Sequence, residues 1–426
     1  MQKPKKNVNG KNSNKLSRRE FIRSASLAAT AAAALPSTFG SFFIISRRAT
    51  AQPPPLDQVR VVVSRDESAH TGSQINTDYV KVVMDEAIRR LTGIFETGEA
   101  YKSSFPGITL DSVIGIKINS INTPLSTHPA VVDALTLGLQ EMTFNGTPFP
   151  ANNIIIWDRY NWELQAAGYT INASPTGVRC FGTDTVGYDS TVSLNCSGSI
   201  QHPSRILTEY IDYHVDFAVL KNAGGAGLTL TLKNNYGCID SPSNLHSNNC
   251  NPGIPSVNQQ IRDELNVIEA LFIVDAIFGC YSGGPMGPPN MIYDGIIMGQ
   301  DRVAVDSIGR SILEEYGCTT LAYSTHVDTA AEPPYNLGTN NLDEIHRLDV
   351  LNPSLPVENL RLQKENRNIS LRWSTPEYTG YFSVQRSSDP SFTSYEEIGL
   401  TRANRFIDHE AVHQGEKSFY RVVKTW

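Results

Sequence analysis

Polar side chains stand where this sequence turns from apolar runs into loops: Lys117 and Asn119, Asp158, Lys221 and Asp275 each end or follow a strand-like stretch, and His128 opens a helix-like one. If the strands are parallel, these ends share one edge of a sheet, the usual ligand-binding edge of open α/β folds. Lys117 and Lys233 would then hold an anionic group, with His128 or Asp158 as the catalytic residue that transfers a proton. His128, Asp158, His246 and Asp275 also offer the imidazole and carboxylate donors that suit a divalent metal. Their distance in sequence neither supports nor excludes convergence. Each also has a plainer reading, as a cap, a surface charge or a structural hydrogen bond.

The densest segment is Leu228-Thr-Leu-Thr-Leu-Lys-Asn-Asn-Tyr-Gly237, preceded by Gly224-Gly-Ala-Gly227. If Gly225 and Gly227 form a turn before a helix or strand end, exposed backbone N–H groups beside Lys233 would suit a carboxylate or phosphate, with Asn234 orienting the ligand. The order of residues is not that of the nucleotide-binding glycine loop. The alternative is that the glycines permit close packing and Asn234 caps a helix. Further on, Gly283-Gly-Pro-Met-Gly-Pro-Pro289 specifies a loop through restricted and permissive backbone positions, and Asp275 precedes it. Asp301 reads as an N-cap, and Asp306, five residues later, lies on another helical face.

These residues need strands and helices to place them. Residues 59–63, 113–118 and 153–157 are apolar, strand-like runs, 213–221 contains the strand-like Phe217-Ala-Val-Leu220, and 267–275 is apolar with a first part that also suits a helix. Helical spacing covers 77–91, 128–139, with Thr127 as N-cap and Pro129 in the first turn, and 301–315. The alternation predicts an α/β fold over residues 58–350, with a large mixed or mostly parallel sheet and covering helices. Pro353 and Pro356 mark a change. Short alternating runs over 357–426 then predict a small antiparallel β-sandwich.

The 426 residues carry a net charge of −7, unevenly distributed. Residues 1–51 hold ten basic residues and one acidic, which leaves 26 basic against 42 acidic, or −16, for the rest. That excludes non-specific nucleic-acid binding as a main role, because such binding needs basic residues to neutralise phosphates. Ser17-Arg-Arg-Glu-Phe-Ile-Arg23, followed by an alanine-rich stretch to about residue 45, resembles the twin-arginine export signal. Ala49-Thr50-Ala51 fits the small-x-small pattern before a cleavage point, and residues 52–57 read as a proline-rich linker. The resemblance implies the twin-arginine machinery as a partner and a periplasmic or secreted protein. Membrane contact follows only if the segment is retained as an inner-membrane anchor.

Six cysteines, at 180, 196, 238, 250, 280 and 318, include no Cys-x-x-Cys pair, so no iron–sulfur cluster is expected. Export would permit Cys238–Cys250 or Cys180–Cys196 bridges, and buried free thiols are the alternative. No Gly-x-Ser-x-Gly, His-Glu-x-x-His or dinucleotide fingerprint is present, which weakens hydrolase, zincin and dehydrogenase readings.

Taken in order, Ile116-Lys117, Thr127-His128-Pro129, residues 224–237, Val274-Asp275, Gly283-Gly-Pro285 and Asp301-Arg-Val-Ala-Val-Asp306 resemble the bacterial and archaeal family called domain of unknown function 362. The resemblance spans roughly residues 58–350 and implies an α/β fold with a site near these polar loops, but supplies no reaction. Members with an added ferredoxin-like segment carry cysteine runs that this chain lacks. The family's Lys followed shortly by His is here Lys221-Asn-Ala-Gly-Gly225, which removes one candidate ligand or proton carrier. Leu371-Arg-Trp373, Tyr381-Phe-Ser-Val-Gln-Arg386 and Tyr420-Arg-Val422 resemble a fibronectin type III module, which implies a spacer or adhesion role. The expectation is an exported protein with metal- or cofactor-dependent activity on a small anionic ligand. The alternatives are a non-catalytic ligand-binding protein, or a structural protein with an envelope protein partner.

Overall fold

The computed structural model describes residues 58–353, 357–375, 381–409, 411 and 418–425. The twin-arginine run, Ala49-Thr50-Ala51 and residues 52–57 lie outside the described residues.

The apolar runs pair into one large sheet. Its strands are β1 (Val59–Arg65), β2 (Ile114–Ile118), β3 (Ile154–Trp157), β4 (Arg179–Cys180), β5 (Tyr213–Ala223), β6 (Gly227–Leu228), β7 (Ile268–Cys280), β8 (Met291–Gly299) and β9 (Ile345–Leu351). Their order is β9-β1-β8-β7-β5-β2-β3-β4, with β6 paired to β5. Along that order every pairing is parallel except the two made by β8. The sheet is therefore mixed and mostly parallel, as the alternation of elements predicts.

Because strand side chains alternate between faces, the sheet divides two apolar cores. Val62, Ile114, Ile116 and Ile118 join one core, with Val80, Val83, Met84 and Ile88 of α1 (Thr77–Thr92) and Val131, Val132 and Leu135 of α2 (Pro129–Gln140). Val61, Val63 and Trp157 join the other, with Leu230 and Leu232 of α3 (Leu230–Asn234), Ile254 and Val257 of α4 (Gly253–Glu264) and Val303, Val305 and Ile308 of α5 (Arg302–Glu315). The two cores cover β5 on both faces, and all eleven of its residues are buried, including the polar His214, Asp216, Lys221 and Asn222.

Three details depart from the sequence reading. His128, not Thr127, is the N-cap of α2, and its side chain accepts from Ala130 N. Residues 268–275 are strand throughout, and β7 continues past Asp275 to Cys280. β8 and β9 are additional strands.

In the C-terminal region Glu358–Glu365, Asn368–Ser374 and Arg405–Asp408 form one antiparallel sheet, and Tyr381–Ser387, Glu396–Thr401 and Phe419–Thr425 form a second. Leu371, Trp373, Phe382, Val384 and Val422 make a separate small core, giving the β-sandwich-like region that the alternation predicts. Among the described residues, no helix is long and apolar enough to cross a membrane.

Candidate functional site

Parallel β2, β3, β5 and β7 bring their carboxyl ends to one edge, and Lys117, Asn119, Asp158, Lys221 and Asn234 meet there. Lys117, next to last in β2, is 1 % exposed. In register it lies between Asp216 and Trp157, and its amine sits 5.8 Å from the Trp157 ring centroid. Lys117 Nζ donates to Asp158 Oδ1 at 2.7 Å, Ile118 O at 2.6 Å and Asn234 Oδ1 at 3.4 Å. Asp158 follows β3. Its Oδ2 accepts from Ser120 N and Ser120 Oγ at 2.8 and 2.7 Å, and its Oδ1 also accepts from Arg159 N at 2.8 Å. Both carboxylate oxygens are thus engaged. Gly237 explains why the motif ends in glycine, since a Cβ there would lie 2.7 Å from Lys117 Nζ and 2.9 Å from Asp158 Oδ1.

Asn234, at the end of α3, ties the strands together. Its Nδ2 donates to Asp216 Oδ1 at 2.8 Å and Lys117 O at 3.3 Å, and its Oδ1 accepts from Asn119 Nδ2 at 3.2 Å. Asp216 is fully buried, its Oδ2 has no partner, and burial holds its pKa well above the usual carboxylate range. Asn119 Oδ1 in turn accepts from Lys221 Nζ at 2.8 Å, and Leu125 O accepts from the same amine at 3.0 Å. Lys221 has no exposed surface, and desolvation lowers its pKa to about 8.

Lys233 lies at the same end of α3. Its amine is 5.2 Å from the Tyr236 ring centroid and, among the described residues, makes no hydrogen bond or ion pair. Desolvation lowers its pKa, and its charge in turn opposes protonation of Lys221.

The N–H groups that open α3 are already occupied by the chain's own carboxylate. Asp306 Oδ1 accepts from Thr231 N at 2.9 Å and Thr231 Oγ1 at 2.7 Å, and Oδ2 accepts from Leu232 N at 3.0 Å. Of the glycines before them, Gly227, at φ +82°, serves packing, since a Cβ there would come within 2.5 Å of Ser324 N, whereas a Cβ at exposed Gly225 would meet nothing within 4 Å. Asp301 caps α5 through Ala304 N at 2.9 Å.

The four candidate metal ligands do not gather. His128 meets Asp275 through its backbone N–H, which donates to Asp275 Oδ2 at 2.9 Å, while the His128 ring Nδ1 is used by Ala130 N. The ring Nδ1 of exposed His246 pairs with Pro242 O, and the ring packs against Tyr236. Asp158 is held by Lys117. Among the described residues no group of three or more His, Cys, Asp or Glu is arranged to hold a metal ion. All six cysteines are buried, unbridged thiols, including both pairs considered for disulfides.

Asp275 is 3 % exposed, and burial raises its pKa to about 7 although backbone N–H groups of His128 and Ile277 favour its charged form. The folded protein therefore binds more protons at this group than the unfolded chain does. Its stabilising contribution is full below a pH of about 4 and is lost as pH rises through about 7, on the order of 4 kcal/mol in all. Urea unfolding at a pH of about 4.5 and again at about 7.5 is expected to show a smaller fall in stability for Asp275→Asn than for the wild type. An equal fall in both would contradict the assignment.

A groove of about 480 Å³ lies elsewhere, where β1 begins and β8 ends, lined by Val59, Arg60, Leu91, Thr92, Gln300 and Asp301. Its Asp301 carboxylate is used by Ala304 N and Thr339 N, and Arg60 donates to Leu91 O, so its polar groups serve the fold.

Lys117, Asp158, Asn234 and Asp275 stand out in the sequence as candidates, and Lys221 and Asn119 stand at strand ends, with no role for Lys221 evident there. The available signal is a lysine directly after the apolar run Phe217-Ala-Val-Leu220, in a strand that also carries His214, Asp216 and Asn222. Asp216 and Asp306 as partners of α3 carried no local signal.

No curated protein matched the chain. A crystal structure of a protein from Thermotoga maritima is similar at 11% identity and a TM-score of 0.35, over 58% of this chain and 60% of that one, and carries no argument about the site. Residues 114–311, which contain Lys117, Asp158, Lys221, Lys233, Asn234 and Asp275, match the model of the family described as Domain of unknown function (DUF362), in support of the resemblance read from the sequence.

Proposed function

We propose that this is an exported protein whose sheet edge receives a small anionic ligand, and that the C-terminal region is a fibronectin type III-like spacer. Export is supported by the paired Arg18-Arg19 run. The ligand reading is carried by one observation: two desolvated lysines, Lys221 and Lys233, lie close enough to influence each other, and neither has a carboxylate partner among the described residues. The carboxylate nearest in the network, Asp158, is committed to Lys117. An unpaired ammonium taken out of water is costly, and a bound anion offsets that cost. Lys233 supplies the charge, and the Lys117–Asp158 pair holds the strand ends that carry the site.

Pyruvate at millimolar concentration, compared with sodium chloride at equal ionic strength, is expected to raise the melting temperature by roughly 2–4 °C through binding to the folded state. Lys233→Met should abolish the shift. No shift, or an equal shift in Lys233→Met, would contradict the reading.

A further inference from the structure

We infer that Lys221 captures the carbonyl carbon of a small 2-oxo acid as an imine, with the acid's carboxylate held by Lys233. This rests on the anion-site reading above and adds the reacting atom and the substrate class.

The argument is a count of donors. A lysine ammonium has three N–H groups, whereas a neutral amine has two and one lone pair. Lys117 meets three acceptors, one of them a carboxylate, and is the charged partner of an ion pair. Among the described residues Lys221 meets two, Asn119 Oδ1 and Leu125 O, both neutral. The orientation of Asn119 is fixed by its surroundings. Asn234 must turn its oxygen toward Lys117 Nζ, because its nitrogen faces Asp216 Oδ1 and Lys117 O. That oxygen requires the nitrogen of Asn119, so the Asn119 oxygen faces Lys221. The cradle thus satisfies both N–H groups of a neutral amine and leaves its lone pair unengaged. Two lysines within one hydrogen-bond network are thereby set to opposite tasks, and the lowered pKa of Lys221 agrees with this division.

A neutral, desolvated lysine amine is the nucleophile that carbonyl compounds require. Its lone pair forms the C–N bond as the carbonyl π pair moves to oxygen, which takes up a proton while nitrogen loses one. Departure of that oxygen as water, with loss of the second nitrogen proton, leaves C=N. Amine and carbonyl become imine and water with no oxidant or reductant.

Entry requires movement, because Lys221 is fully buried. The segment after β7 is fastened beside it: Asn122 Nδ2 donates to Pro285 O and Gly287 O at 3.0 and 2.8 Å, and Gly284 N donates to Asn222 Oδ1 at 2.8 Å. Asn122 lies between the residues that supply the two acceptors, and Asn222 follows Lys221. Release of these three bonds is the movement that would expose the amine.

The test is reductive trapping of the wild-type protein with pyruvate and cyanoborohydride near neutral pH, followed by peptide mass mapping, with lactate in a parallel melting experiment. The expected result is a carboxyethyl adduct on Lys221 at an occupancy on the order of tenfold above other lysines, because more of its amine is unprotonated. Lys221→Met should remain folded and lose that adduct. Uniform labelling of lysines overturns the inference. If pyruvate and lactate both stabilise the protein, Lys233→Met removes that stabilisation and Lys221 carries no adduct, the imine falls and the anion site stands. If acetaldehyde is trapped on Lys221 while pyruvate neither stabilises nor reacts, the 2-oxo acid assignment and the anion reading fall together.

Discussion

Replacement of Lys117 by methionine is expected to destabilise the protein by about 3–5 kcal/mol, because it strands a buried carboxylate. Asp158 is buried, and among the described residues Lys117 is its one cationic partner at hydrogen-bond distance. Ser120 and the backbone N–H of Arg159 would still donate to it, but these donor groups are neutral. Asn234 would also lose one of the donors to its oxygen, which loosens the end of α3. Combining Lys117→Met with Asp158→Asn removes the unpaired charge while keeping an acceptor for Ser120, so the double variant should recover about half of the loss. Urea midpoints of the four proteins in the cycle measure this. Additive losses would show that the pair is not the source of the effect.

Asp306→Ala is expected to cost a similar amount, about 3–4 kcal/mol, by leaving two buried backbone N–H groups and a hydroxyl without their acceptor. The carboxylate holds Thr231 and Leu232 directly after Leu230, a non-glycine residue at φ +49°. Without that anchor the first turn of α3 is not held, and Lys233 and Asn234 lose their placement. The variant should therefore lose both stability and selective labelling of Lys221. Asp306→Asn keeps one oxygen but presents an NH2 group to one of the donors, so its loss should be smaller, about 1–2 kcal/mol. Guanidinium unfolding of both variants checks the order. An Asp306→Ala protein with wild-type stability would show that water or a neighbouring group replaces the carboxylate.

The fold was legible where strands are uninterrupted apolar runs. β2 and β3 need nothing beyond their isoleucines to declare themselves. β8 was not legible, because Asp294-Gly295 breaks Met-Ile-Tyr-Asp-Gly-Ile-Ile-Met-Gly in the middle, and in the structure Asp294 takes φ +61° there. β9 lies at the edge of the sheet, and His346, Arg347 and Asp349 disguise it. The site was legible as a set of strand-end residues, but its connections were not. Asn234 lies 117 residues from Lys117, and the N–H groups that looked free to bind a ligand are taken by Asp306, 75 residues downstream of Thr231. Only the packing of α3 and α5 on the same face of the sheet brings those groups together. The difference between Lys117 and Lys221 was likewise invisible, since it depends on whether the third acceptor is present.

Selective labelling of lysine side chains and NMR titration of their ε-carbons tests the central claim most directly. One lysine resonance, absent from Lys221→Met, is expected to titrate with a midpoint near 8. A Lys221 resonance that stays in the ammonium position to a pH of about 10 would contradict the account, because the buried amine would then carry a full charge with only neutral oxygens to receive it.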